Sequence, residues 1–174
     1  MKKILILISI LTIISMLNDY KNYSVIIPKE SIRFRVIANS NADEDQKIKI
    51  KVKENLEKEL QEVLIKPNNI NETRVFINNN MNRFKNNIEE TLSKEVNKKY
   101  TIKYGNNYFP DKEYKNVIYK AGNYESLVVT LGEGKGENFW CVLFPPLCNL
   151  EQEDNKKVEY HLLIKDILNK YKNN

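Results

Sequence analysis

A chain of 174 residues is long enough for one domain with a substantial core and short for two. Its 28 Lys and Arg against 23 Asp and Glu give a net charge of +5, spread along the chain without a basic block or interleaved stacking aromatics, which excludes a nucleic-acid-binding footprint. One histidine, and two cysteines with six residues between them, supply no zinc-ligand spacing, so no metal and no cofactor is expected.

The chain opens with Lys2 and Lys3, followed by an apolar run from Ile4 to Leu17 that ends at Asn18 and Asp19. This reads as an export signal. Its fourteen residues rise about 21 Å as a helix, short of a roughly 30 Å hydrocarbon core. No small-x-small cleavage site follows, so an uncleaved signal-anchor stands beside a cleaved signal, and in either case the remaining chain faces outward. The expectation is an export segment with a short tether over 1–24 and a single exported domain over 25–174.

After the tether, the stretch SIRFRVIAN alternates, with Ile32, Phe34, Val36 and Ala38 on one face and Arg33, Arg35 and Ile37 on the other, the pattern of a half-buried strand. It stops at Asn39-Ser40-Asn41, where Ser40 or Asn41 can cap a helix whose first turn carries Asp43, Glu44 and Asp45. Ile48, Val52, Leu56, Leu60 and Leu64 recur every fourth residue until Pro67. A second helix is expected from about Thr73, with Phe84, Ile88, Leu92 and Val96 at the same spacing. Two helices in succession predict an αα-hairpin lying on a sheet.

From Tyr100 the period becomes two, with a turn expected at Gly105-Asn106-Asn107, a short strand at Asn116 to Tyr119 and another turn at Ala121-Gly122-Asn123. YESLVVTL and FWCVLF are apolar on both faces and are joined by the loop GEGKGEN, which predicts a β-hairpin of central strands. Val158 to Tyr171 carries one apolar helical stripe and predicts a C-terminal helix packed on the core. The fold class is α+β: an antiparallel sheet with two long helices and a C-terminal helix packed mainly on one face.

Gly132, Gly134 and Gly136 spell G-x-G-x-G, but a phosphate-cradling loop leads into a helix and this one leads into a strand. His161, the lone histidine, has no nucleophile or ligand set at a useful spacing, and the carboxylates scatter over helical faces, so no catalytic residue is assigned. Export invites a disulfide between Cys141 and Cys148 across the Pro145-Pro146 turn, while Cys141 inside an apolar strand equally suits a small hydrophobe.

The stretches RVIANSNADEDQKIKIKV (Arg35 to Val52) and AGNYESLVVTLGEGKGENFWCVLFPPLC (Ala121 to Cys148) resemble the stage II sporulation protein R family of endospore-forming bacteria. The resemblance covers most of the exported part, from about Ile32 to Cys148. It implies a signalling protein, not an enzyme. Such a protein is made in the forespore and exported into the space between the two cells. There it activates a membrane-embedded aspartic protease that processes the precursor of a mother-cell sigma factor. Under that implication the partners are the protease, and the membrane through the N-terminal segment, with no nucleic acid and no small-molecule substrate. The receptor-facing surface is expected at Asn39, Ser40, Asp45, Lys135, Asn138, Pro145, Pro146 and Leu147, each of which also has a plain role as a cap or turn residue. A small exported envelope hydrolase and a structural envelope protein are the alternative readings.

Overall fold

The strand predicted at SIRFRVIAN forms as β2 (Ile32–Ile37) and is the middle of the molecule. The structure is a computed structural model and describes Ile6 and residues 8–12, 25–65, 69–96, 99–114, 117–148 and 157–172. Most of the expected export segment therefore lies outside the described residues; Ile6 and residues 8–12 of it are helical. Among the described residues no helix is long and apolar enough to cross a membrane.

Two long helices follow β2. Helix α1 (Asp43–Ile65) starts with three acidic residues, which favour the positive end of the helix dipole. Helix α2 (Ile70–Leu92) begins three residues earlier than the spacing suggests, because Asn69 caps it: its Oδ1 accepts from Glu72 N (3.0 Å) while its Nδ2 donates to Glu72 Oε1 (2.9 Å). Val96, expected on its buried stripe, lies past the helix end and is fully exposed. Val52, Leu56 and Leu60 of α1 meet Ile77, Phe84 and Ile88 of α2 over the sheet in one apolar cluster.

The main sheet has the order β3 (Tyr100–Phe109), β6 (Gly122–Leu131), β2, β7 (Asn138–Phe144). Its β3–β6 and β2–β7 pairs are antiparallel and its β2–β6 pair is parallel. Two expectations fail here. Gly105-Asn106-Asn107 is not a turn, since the β3–β6 ladder runs through it from Tyr100↔Leu131 to Phe109↔Gly122. Nor do β6 and β7 form a hairpin: β2 lies between them, so the GEGKGEN loop spans a strand and β7 is an edge strand. Pairing with β2 on both sides puts its Phe34 and Val36 under the helices, a burial that a direct β6–β7 pair would forfeit.

The segment between β3 and β6 folds over the other face of the sheet. Its strands β4 (Lys112–Tyr114) and β5 (Val117–Tyr119) join β1 (Val25–Ile26) in a small sheet of order β1-β5-β4. Ile27, Val117, Tyr119, Val142 and Leu147 form a second cluster there with Ile164 of the C-terminal helix α3 (Lys157–Lys172). Tyr171 of α3 meets the Phe144 ring edge-on with centroids 5.0 Å apart. This cover corrects the half-buried reading of β2: Arg33 is only 2% exposed.

A braced loop at the strand-helix junction as candidate functional site

β2 ends at Ala38, and the next three polar residues grip the glycine-rich loop. Asn39 Oδ1 accepts from Glu133 N (2.9 Å) and Asn41 Oδ1 from Glu137 N (2.7 Å). The backbone adds Lys135 N to Asn39 O (3.0 Å) and Gly136 N to Ala38 O (2.9 Å). Lys49 of α1 donates to Glu137 O (3.3 Å) and Gln46 Oε1 (2.5 Å). Asn41, one of two expected caps, therefore holds the loop, and the other, Ser40, accepts from Ala42 N (3.1 Å), ahead of the helix start at Asp43.

Asp45 ties this junction from the helix side. Its Oδ2 accepts from Ser40 Oγ (2.5 Å) and Asn39 Nδ2 (2.9 Å), and these hydrogen bonds, Ser40's first, hold its carboxyl below the ordinary 3.8. Two glycines make the close approach possible. A Cβ on Gly132, at φ 55°, would fall 2.1 Å from Asn39 Oδ1, and one on Gly136 would fall 2.2 Å from the Ser40 carbonyl oxygen. The loop is thus pinned to the junction, with Lys135 and Glu133 paired (2.6 Å) at its exposed tip. An open groove of about 710 Å³ runs beside it, lined by Asn39, Ser40, Lys99, Thr101, Glu133 and Lys135.

Of the expected surface residues, Asn39, Ser40, Asp45 and Lys135 meet in this one place. Asn138 begins β7 beside them, half-buried, with its amide accepting from Arg35 Nη2 (2.9 Å) and donating to Gly136 O (3.2 Å). Pro145, Pro146 and Leu147 do not join them, because they sit at the other end of β7, about 20 Å away at the rise of a strand. Nor are they an exposed edge: Pro145 is buried, Pro146 half-buried, and Leu147 is 0% exposed in the second cluster. Leu147 N closes the turn onto Val142 O (3.0 Å), and a disulfide joins Cys141 to Cys148 with Cα atoms 5.1 Å apart.

The sequence reading missed Asn41 and Lys49 as loop braces. It also missed Arg33 and Arg35 on the far face of β2, although two arginines alternating with apolar residues in a strand were a visible signal. Arg35 stacks over Trp140, guanidinium carbon 4.5 Å from the ring centroid. Among the described residues no group of three His, Cys, Asp or Glu is placed to hold a metal.

The fold and junction describe an α+β domain with a loop braced against its first strand-helix junction. The family model described as Stage II sporulation protein R (spore_II_R) matches residues 28–154, and the chain belongs to that family. It is 38% identical over 140 residues to stage II sporulation protein R of Bacillus subtilis (strain 168), covering 80% of this chain and 62% of the relative. The chain thus spans less than two thirds of that curated relative's length. No solved structure matches. The chain is a sporulation protein.

Proposed function

We propose that the chain is an intercellular signal of sporulation. It is made in the forespore, exported into the space between the two cells, and there activates a membrane-embedded aspartic protease that processes the precursor of a mother-cell sigma factor. It acts as a protein ligand and carries out no chemistry itself. Family membership and the charged-then-apolar N-terminus support export and a signalling role. The observation that carries the ligand reading is the braced loop. A surface that must be recognised loses less entropy on binding when its conformation is fixed beforehand, and Asn39, Asn41 and Lys49 fix this one.

The test is co-expression of the full chain with the protease and the sigma-factor precursor in a non-sporulating host, following cleavage by size shift. Cleavage is expected only when all three are present; none in the three-component cell would sink the reading. Lys135 is the side chain to change first, since it is 75% exposed and its pair with Glu133 contributes little stability. Lys135→Glu should leave the melting temperature unchanged and lower cleavage several-fold; wild-type cleavage would remove the loop tip from the contact.

A further inference from the structure

β7 is an edge of the main sheet, and its first half is open. Ala38 N donates to Glu137 O (3.4 Å) where the β2–β7 pair begins, and the register continues from Ile37↔Asn138 to Phe34↔Cys141. Hydrogen bonding alternates along an antiparallel pair, so Glu137, Phe139 and Cys141 turn their main-chain groups toward β2, while Asn138, Trp140 and Val142 turn theirs outward. The Val142 carbonyl is answered by Leu147 N (3.0 Å), which closes that end of the edge. The outward N–H and C=O of Asn138 and Trp140 have no hydrogen-bond partner among the described residues. Solvent reaches them: Asn138, Phe139 and Trp140 are only half-buried, and Asn138 to Cys141 all line one cavity of about 230 Å³. Phe139 and Cys141 pack with the helix-side cluster, so they reach that cavity through their main chain.

A row of unanswered main-chain groups at a sheet edge is a template for another extended strand. The charges beside it select which strand. On the small-sheet side, the Arg35 guanidinium carbon lies 4.5 Å and Lys112 Nζ 5.6 Å from the Trp140 ring centroid, and no carboxylate among the described residues pairs with either. On the helix side Lys53 Nζ lies 4.9 Å from the Phe139 centroid, and Lys49 donates to Glu137 O. Burial lowers the Lys49 pKa, Glu137 opposes that shift and Lys112 adds to it, so the two lysines feel each other across the strand. A second copy docked edge to edge would set these cations against their own kind. An acidic guest meets the opposite charge. The other edge selects against it, because at β3 Tyr100 and Tyr104 already donate to the carboxylates of Glu89 and Glu125.

We propose that Asn138 and Trp140 take up an extended, acidic segment of a partner protein as a fifth strand beside β7, with exposed Lys112 facing its carboxylates. The proposal goes beyond the signalling reading and does not need it, since its test contains no protease and either can fail alone.

The probe is an acetylated, amidated hexapeptide alternating glutamate and valine, added to the full chain. It should change the emission of Trp140, the chain's only tryptophan, saturably, and slow hydrogen exchange at the Trp140 and Asn138 amides. The same sequence N-methylated throughout keeps its charge and loses its main-chain donors, and should not bind. The counterpart with lysine in place of glutamate should bind at least about tenfold more weakly, and Lys112→Glu, a change at an exposed side chain, should weaken the acidic peptide several-fold. No saturable response, equal binding of the methylated or the lysine peptide, or wild-type affinity in Lys112→Glu would each overturn the proposal. So would a Trp140 amide already protected without peptide, or protected as chain concentration rises, since the edge would then be covered by this chain or by a second copy.

Discussion

The two faces of β2 are built from different materials. Toward the helices, Ile32, Phe34 and Val36 are 0% exposed and belong to an apolar cluster with residues of α1, α2, β6 and β7. Toward the small sheet, Arg33 and Arg35 lie among Phe109, Tyr119, Tyr124 and Trp140, where packing is aromatic and the cations are held by ring faces. Both faces are covered, but only the first is filled by shape and apolar area alone. The second keeps a cavity and leaves Arg33 Nε and Nη2 without hydrogen-bond partners, an expense to stability that the first face avoids.

That contrast can be broken on the helix side first, where the largest effect is expected. Leu56 is 0% exposed between the helices and the sheet, and Leu56→Ala removes three buried carbons from the apolar cluster. A loss of about 2–5 kcal/mol, read from the urea midpoint at constant slope, is expected. A loss well under that range would mean that the helix layer is loosely packed and that the two faces differ less than described.

The helix side was also the legible side. Fourfold spacing at Val52, Leu56 and Leu60, and at Phe84, Ile88 and Leu92, located α1 and α2 because helix burial is a local pattern in the chain. Alternation at Ile32, Phe34 and Val36 gave β2 its inner face. The outer face was illegible because what covers Arg33 comes from Phe109, Tyr119 and Tyr124, far along the chain, and no periodicity encodes that meeting. Strand order failed for the same reason: GEGKGEN looks like a hairpin loop, yet β2 takes the place between β6 and β7. Asn39-Ser40-Asn41 was identifiable as a helix start; that Asn39 and Asn41 also hold a loop nearly a hundred residues later was not.

The junction sits at the end of both faces, and its contribution is electrostatic. Asp45 has its folded pKa depressed, mainly by Ser40 and then by Asn39, so its stabilisation is complete above the ordinary 3.8 and is lost as pH falls through the lower folded value. Asp45→Asn should therefore cost about 1 kcal/mol at neutral pH, consistent with a part-exposed charged acceptor. The wild-type and variant stability curves should converge below pH 4. A constant gap across that range would assign the loss to altered packing instead of the carboxylate.

The smallest expected stability change is the most telling about the far face. Arg33→Met removes a buried cation whose desolvation costs several kcal/mol and whose ring contacts return about 1–2 kcal/mol each when desolvated. A thioether of similar length fills the same space against Phe109 and Tyr124 and has no donors to leave unanswered. These effects oppose each other, and the variant should melt within about 1 kcal/mol of the wild type. Set beside Leu56→Ala, a near-zero change at an equally buried position means that the cation's ring contacts only offset its desolvation and that the far face is not held together by Arg33. A loss as large as that of Leu56→Ala would make Arg33 a structural pillar between the two sheets, and the faces of β2 would then differ in material but not in purpose.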